Sequence, residues 1–111
     1  MRAKPSSSAT QSSYAFRAKL WIWQGKAAWY FISLPAKVSR EIQLVDAGPR
    51  RAGFGALRVE ATIGTSTWQT SIFPSTPLKG YLLPVKAGIR KQQNLLEGKA
   101  VSVRLVVRRR A

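Results

Sequence analysis

Residues 82–105 read LLPVKAGIRKQQNLLEGKAVSVRL. Leu82 and Leu83 end a short apolar run at Pro84, and Val85 and Ile89 then recur at helical spacing among Lys86, Arg90 and Lys91. Glu97-Gly98 signals a turn, after which Val101, Val103, Leu105 and Val107 alternate with Ser102, Arg104 and Arg108 as in a strand with one buried face. The stretch therefore predicts a strand end, a basic helix over 85–93, a turn and a final strand. Its opening has an echo upstream. Leu34-Pro35-Ala36-Lys37, followed by Arg40, parallels Leu83-Pro84-Val85-Lys86, followed by Arg90, so two strand-helix-strand units are related by an internal repeat.

Four further strands fit around this frame. Phe16, Ala18, Leu20 and Ile22 alternate with Arg17, Lys19, Trp21 and Trp23, which puts the two tryptophans on the same face as the two cations. Residues 24–26 turn the chain into a second strand, AWYFISL, that pairs with the first as a hairpin and ends at Pro35. Val38, Ile42 and Val45 predict a helix stopped by Gly48-Pro49. Leu57 to Ile63 and Thr67 to Phe73 are the third and fourth strands, the latter ending at Pro74, and Tyr81 to Leu83 is a short fifth. Trp29 and Trp68 are expected in the core, because indoles are bulky filling for a small barrel. The fold class is thus mainly β: a barrel of about six strands with two short α-helices, complete within one chain.

Residues 1–14 are Ser-rich, contain Pro5 and lack an apolar period, so they are expected to form a flexible tail. An organelle transit peptide would share this composition but needs an amphipathic helical face. Residues 15–108 form the single domain, and 109–111 a basic tip. A chain of 111 residues buries enough surface to fold without cysteine staples, and it has no Cys. No apolar run reaches the ~18 residues of a membrane span, and the expected location is the cytoplasm.

Charge bounds the function more than any motif does. Nineteen Lys and Arg stand against four acids and no His, a net +15. Such a field draws polyanions such as nucleic acid; alternatively it only keeps an apolar-rich domain soluble. Enzyme readings fare poorly. Without His or Cys the commonest general base, the thiol nucleophile and the soft metal ligands are missing, and Glu41, Asp46, Glu60 and Glu97 do not form a pair. Ser71 has no recognisable base, and Gly53-x-Gly55 lacks the rest of a phosphate loop. No catalytic residue, metal or cofactor is expected.

The segments Ala28-Trp29 to Leu34-Pro35, Arg50-Arg51 with Gly53-Phe54-Gly55, Trp68 to Pro74, Tyr81 to Pro84 and Ile89-Arg90-Lys91 together resemble domain-of-unknown-function family 1905. The likeness runs from about Ala15 to Val107. It implies a double-split β-barrel with two helices, a bacterial origin and no established activity. The stretch from Pro84 through Glu97-Gly98-Lys99 is also similar to the half-barrel of AbrB- and MazE-type DNA-binding proteins, in which two chains complete one barrel. Lys99 departs from the Asp usual there.

Two binding readings remain. In the first, Arg50, Arg51, Arg90 and Lys91 hold the phosphates of a nucleic acid or another polyanion, and Trp21 or Trp23 stacks on a base. In the second, the domain holds a protein or small ligand in a groove lined by Trp29, Trp68 and Tyr81, and the charge confers only solubility. The oligomeric state stays open.

Overall fold

The computed structural model describes residues 11–44, 55–75 and 80–108. Within them the chain forms β1 (Gln11–Gln24), β2 (Ala28–Ser33), α1 (Ala36–Ile42), β3 (Leu57–Ile63), β4 (Ser66–Ser75), β5 (Gly80–Pro84), α2 (Ala87–Gln92) and β6 (Ala100–Arg108). The strands close into one antiparallel barrel in the order β1-β2-β5-β4-β3-β6. Two long strands make the closure possible by changing partners part-way. β1 pairs with β6 through Gln11 to Lys19 and with β2 through Leu20 to Gln24. β4 pairs with β3 through Ser66 to Ile72 and with β5 through Phe73 to Ser75.

The internal repeat is the symmetry of this ring. Exchanging β1-β2-α1-β3 with β4-β5-α2-β6 maps the strand order onto itself. Ser33 and Leu82, which immediately precede the two Leu-Pro pairs, are direct partners across the β2–β5 seam, so the pseudo-two-fold passes between them.

Hydrogen-bond parity explains how prolines sit inside strands. The N–H of Val85 donates to the carbonyl of Tyr30 (2.9 Å), and that of Leu34 to the carbonyl of Tyr81 (3.0 Å). The intervening Phe31–Pro84 pair therefore falls at a position whose backbone groups point away from the partner, where the missing proline N–H is not needed. Pro74 is the second case. The sequence predicts that β4 ends there, but β4 continues to Ser75 and Pro74 pairs with Tyr81. The N–H of Tyr81 donates instead to Ser39 Oγ (3.2 Å) and its carbonyl accepts from Leu34, both on the side away from β4.

The predicted alternation fills the interior. Leu20, Ile32, Val59, Ala61, Ile72, Leu83, Leu105 and Val107 are fully buried, joined by Ile42 of α1 and Ile89 of α2. Trp68 belongs to this core at 8% exposure, as expected. The α2 end is tied to the β3–β4 turn: Ser66 donates to Gln92 Oε1 (2.8 Å), and Gln93 Nε2 donates to Ser66 Oγ (2.8 Å) and Thr65 Oγ1 (3.1 Å). Gly64 is required in that turn, since its φ is +61° and a Cβ there would strike the Gln93 amide. The predicted turn at Glu97-Gly98 tolerates Lys99: Gly98 N–H donates to Leu20 O (2.8 Å) and Leu20 N–H to Lys99 O (3.2 Å).

Some expected boundaries shift. Gln11 to Tyr14, expected in the tail, extend β1 because their backbone pairs with Leu105 to Arg108 of β6, a gain independent of side-chain polarity. The first helix ends at Ile42; Val45 and the Gly48-Pro49 stop lie outside the described residues, as do residues 1–10 and 109–111. The second helix starts at Ala87, two residues after Val85, which is nonetheless buried with Ile89. Among the described residues no helix is long and apolar enough to cross a membrane.

Two substitutions test this packing in denaturant unfolding. Trp68→Ala is expected to cost about 3–5 kcal/mol through the cavity it leaves. Ser39→Ala is expected to cost about 1–3 kcal/mol by depriving the buried Tyr81 N–H of its acceptor; unchanged stability in either variant would contradict the packing described.

Candidate nucleic-acid interface

A filled barrel sends every second side chain outward, and on half of this one the outward row is aromatic. Trp21 and Trp23 of β1 lie opposite Phe31 and Trp29 of β2. Phe31 lies opposite Pro84 of β5, and Leu82 is flanked by Ser33 and by Phe73 of β4. All of these but Ser33 line an open groove of about 650 Å³. Trp23 and Trp29 are half exposed, and Phe73 is 45% exposed. The rings of Trp29 and Phe31 stack with centroids 6.2 Å apart, and Trp21 tilts against Phe31 at 5.4 Å. Trp21 Nε1–H donates to Ser33 Oγ (2.9 Å), which fixes that indole against the sheet. Trp23 lies over the hairpin turn, where a Cβ on Gly25 would collide with its ring.

The other half of the barrel surface is basic. Arg17 and Lys19 of β1, Arg58 of β3, and Arg104 and Arg108 of β6 lie on the outer rows. The guanidinium groups of Arg17 and Arg58 donate to the neutral hydroxyls of Ser102 and Ser71 (each 3.1 Å). Glu60, the one acid on those rows among the described residues, accepts from Gln69 Nε2 (3.1 Å). Arg17, Ser102, Arg104 and Thr62 line a shallow groove on this side. The two faces meet along β1, whose outward row runs Arg17, Lys19, Trp21, Trp23, with successive side chains ~7 Å apart.

The family model for a domain of unknown function, DUF1905, matches residues 16–105. The chain belongs to that family. A comparison with curated proteins finds no match. The DUF1905 match runs from Phe16 within β1 to Leu105 within β6 and takes in every described element between them.

The sequence-predicted site residues of this DUF1905 domain separate. Trp21 and Trp23 lie together on the outer face, as their shared parity with Arg17 and Lys19 implies. Arg90 is half-buried, with its guanidinium carbon 3.5 Å from the centroid of the Tyr30 ring, and Lys91 is exposed on the same helix. Arg50 and Arg51 lie outside the described residues. Trp29 corrects an expectation: it is 52% exposed and not core. The reason lies in the hairpin. Gln24 pairs with Ala28, so Trp23 and Trp29 are cross-strand neighbours and must share a face. Phe31 and Leu82 escape sequence reasoning because both rows of their strands carry apolar residues, which hides the period of two; Phe73 shares its parity with Gln69 and Ser71, but lies at the strand end that the sequence places before Pro74. Tyr81, expected to line a groove in the second reading, is buried in the core at the Pro74 pairing.

The two indoles should separate in solution. Trp29→Ala is expected to change stability by less than about 1 kcal/mol, in contrast to Trp68→Ala. A soluble quencher should reach Trp29 and leave Trp68 protected; equal protection of the two would contradict the outward placement.

Proposed function

We propose that this DUF1905 domain is a non-enzymatic cytoplasmic binding module for single-stranded nucleic acid. Bases stack on Trp21, Trp23, Trp29 and Phe31, while phosphates meet Arg17, Lys19 and Arg104. The observation that carries the proposal is the outward row of β1, in which two cations pass directly into two indoles on a chain of net charge +15. Stacking on exposed aromatic rings is worth about 1–3 kcal/mol per base and tolerates any sequence. Basic side chains supply the phosphate term, with its characteristic dependence on salt. Arg50 and Arg51 enter the proposal from the sequence alone, as further phosphate-binding groups.

A second reading is favoured by Phe73, Leu82 and Pro84, which extend the groove with apolar surface that a protein partner would cover as readily as a base. The test is titration of unrelated single-stranded oligonucleotides, and of duplex, from low to physiological salt. Trp23→Ala/Trp29→Ala is expected to weaken single-strand binding about tenfold or more. Arg17→Gln/Lys19→Gln should flatten the salt dependence by roughly 0.7 for each phosphate no longer neutralised, and Arg50→Glu/Arg51→Glu should weaken all sequences alike. Absence of parent binding at physiological salt would overturn the proposal. Binding indifferent to the aromatic pair would overturn the stacking platform and leave the protein-docking reading.

A further inference from the structure

The barrel is split where β5 ends. Beyond Pro84 the chain leaves the sheet for α2, while β4 has already exchanged β5 for β3 at Phe73. The start of β2, the middle of β4 and the first turn of α2 consequently line a cleft of about 480 Å³, within the ~300–1,000 Å³ range of small-molecule sites. Its walls include Trp29, Tyr30 and Trp68, its polar groups include Gln69, and its charged groups are Lys86 and Arg90, with no carboxylate among the lining residues. Arg90 is held from two sides: Nε donates to Val85 O (3.4 Å), and the guanidinium carbon sits 3.5 Å from the Tyr30 ring centroid. Those two interactions use Nε and one face of the group, and the Nη nitrogens are not needed for either. A planar fork held in this way suits a phosphate better than a mobile ammonium does.

We infer that this cleft binds a nucleoside monophosphate, its phosphate on Arg90 and Lys86 and its base against the indoles. The ligand is either a free nucleotide or the phosphorylated end of a strand. The inference goes beyond strand binding on the outer face: Trp29 and Pro84 line both the groove and the cleft, but Trp68, Lys86 and Arg90 line only the cleft, and Trp21 and Trp23 only the groove.

The test is calorimetric titration of the full chain with adenosine and uridine monophosphates and with the corresponding nucleosides. The monophosphates are expected to bind saturably, and the nucleosides at least about tenfold more weakly. Arg90→Met should weaken monophosphate binding by a similar factor, Arg90→Lys should recover part of it, and Lys86→Gln, at an exposed position, should weaken binding with no change in melting temperature. The same oligonucleotide with and without a terminal phosphate assigns the source: tighter binding of the phosphorylated form supports a strand end, and indifference together with monophosphate binding supports a free nucleotide. Failure of both monophosphates to bind would overturn the inference. So would parent-like binding by a folded Arg90→Met protein, even if oligonucleotides still bind the outer face. Loss of oligonucleotide binding in Trp21→Ala/Trp23→Ala, with monophosphate binding intact, would support a cleft that works without the Trp21 and Trp23 part of the platform.

Discussion

The N–H of Val85 donates to Tyr30 and that of Leu34 to Tyr81, and these two bonds set the parity of the seam on which the barrel turns. With that parity Ile32 and Leu83 point inward, while Phe31, Ser33, Leu82 and Pro84 face outward. A slip of one residue would send every one of them to the opposite side. It would also place Pro84 where the β2 partner needs an N–H. The Leu-Pro repeat is therefore a register device, and its two copies meet on the pseudo-two-fold between Ser33 and Leu82.

Once the interior is filled by Leu20, Ile32, Ile72, Leu83 and Leu105, the aromatic row outside contributes little to folding. Apolar surface stabilises only when it is removed from water, at about 25 cal/mol per Å². A groove bearing two half-exposed indoles keeps that free energy in reserve for whatever covers it. The basic half of the surface is its electrostatic complement, and β1 belongs to both halves because it changes pairing partner at Leu20.

Most of the barrel is legible in the sequence because its inward rows alternate cleanly. Val59, Ala61 and Ile63 against Arg58 and Glu60, or Val101, Val103 and Leu105 against Ser102 and Arg104, leave no choice of face. The aromatic platform is only half legible. β1 declares its outer side through Arg17 and Lys19, but AWYFIS carries large apolar residues in both rows, and only the hairpin register separates Trp29 from Tyr30. The strand extension over Gln11 to Tyr14 and the through-strand course at Pro74 depend on backbone bonds to distant strands, which side-chain pattern does not encode. The cleft beside Arg90 is hidden for the same reason. It is made by where β5 stops relative to β4, a property of pairing and not of composition.

The pairing of β1 with β6 has a consequence for how the molecule is made. Gln11 partners Arg108 and Lys19 partners Ala100, so β1 leaves the ribosome long before the strand it pairs with. Synthesis runs from the N-terminus, and pairings of such high sequence separation close late and slowly. Until β6 emerges, the nascent β1–β2 hairpin presents an unpaired edge together with Trp21, Trp23, Trp29 and Phe31, the combination that invites pairing with the wrong chain. Arg17 and Lys19 lie on that edge, and their like charge gives each growing chain a means of holding off its neighbours until closure.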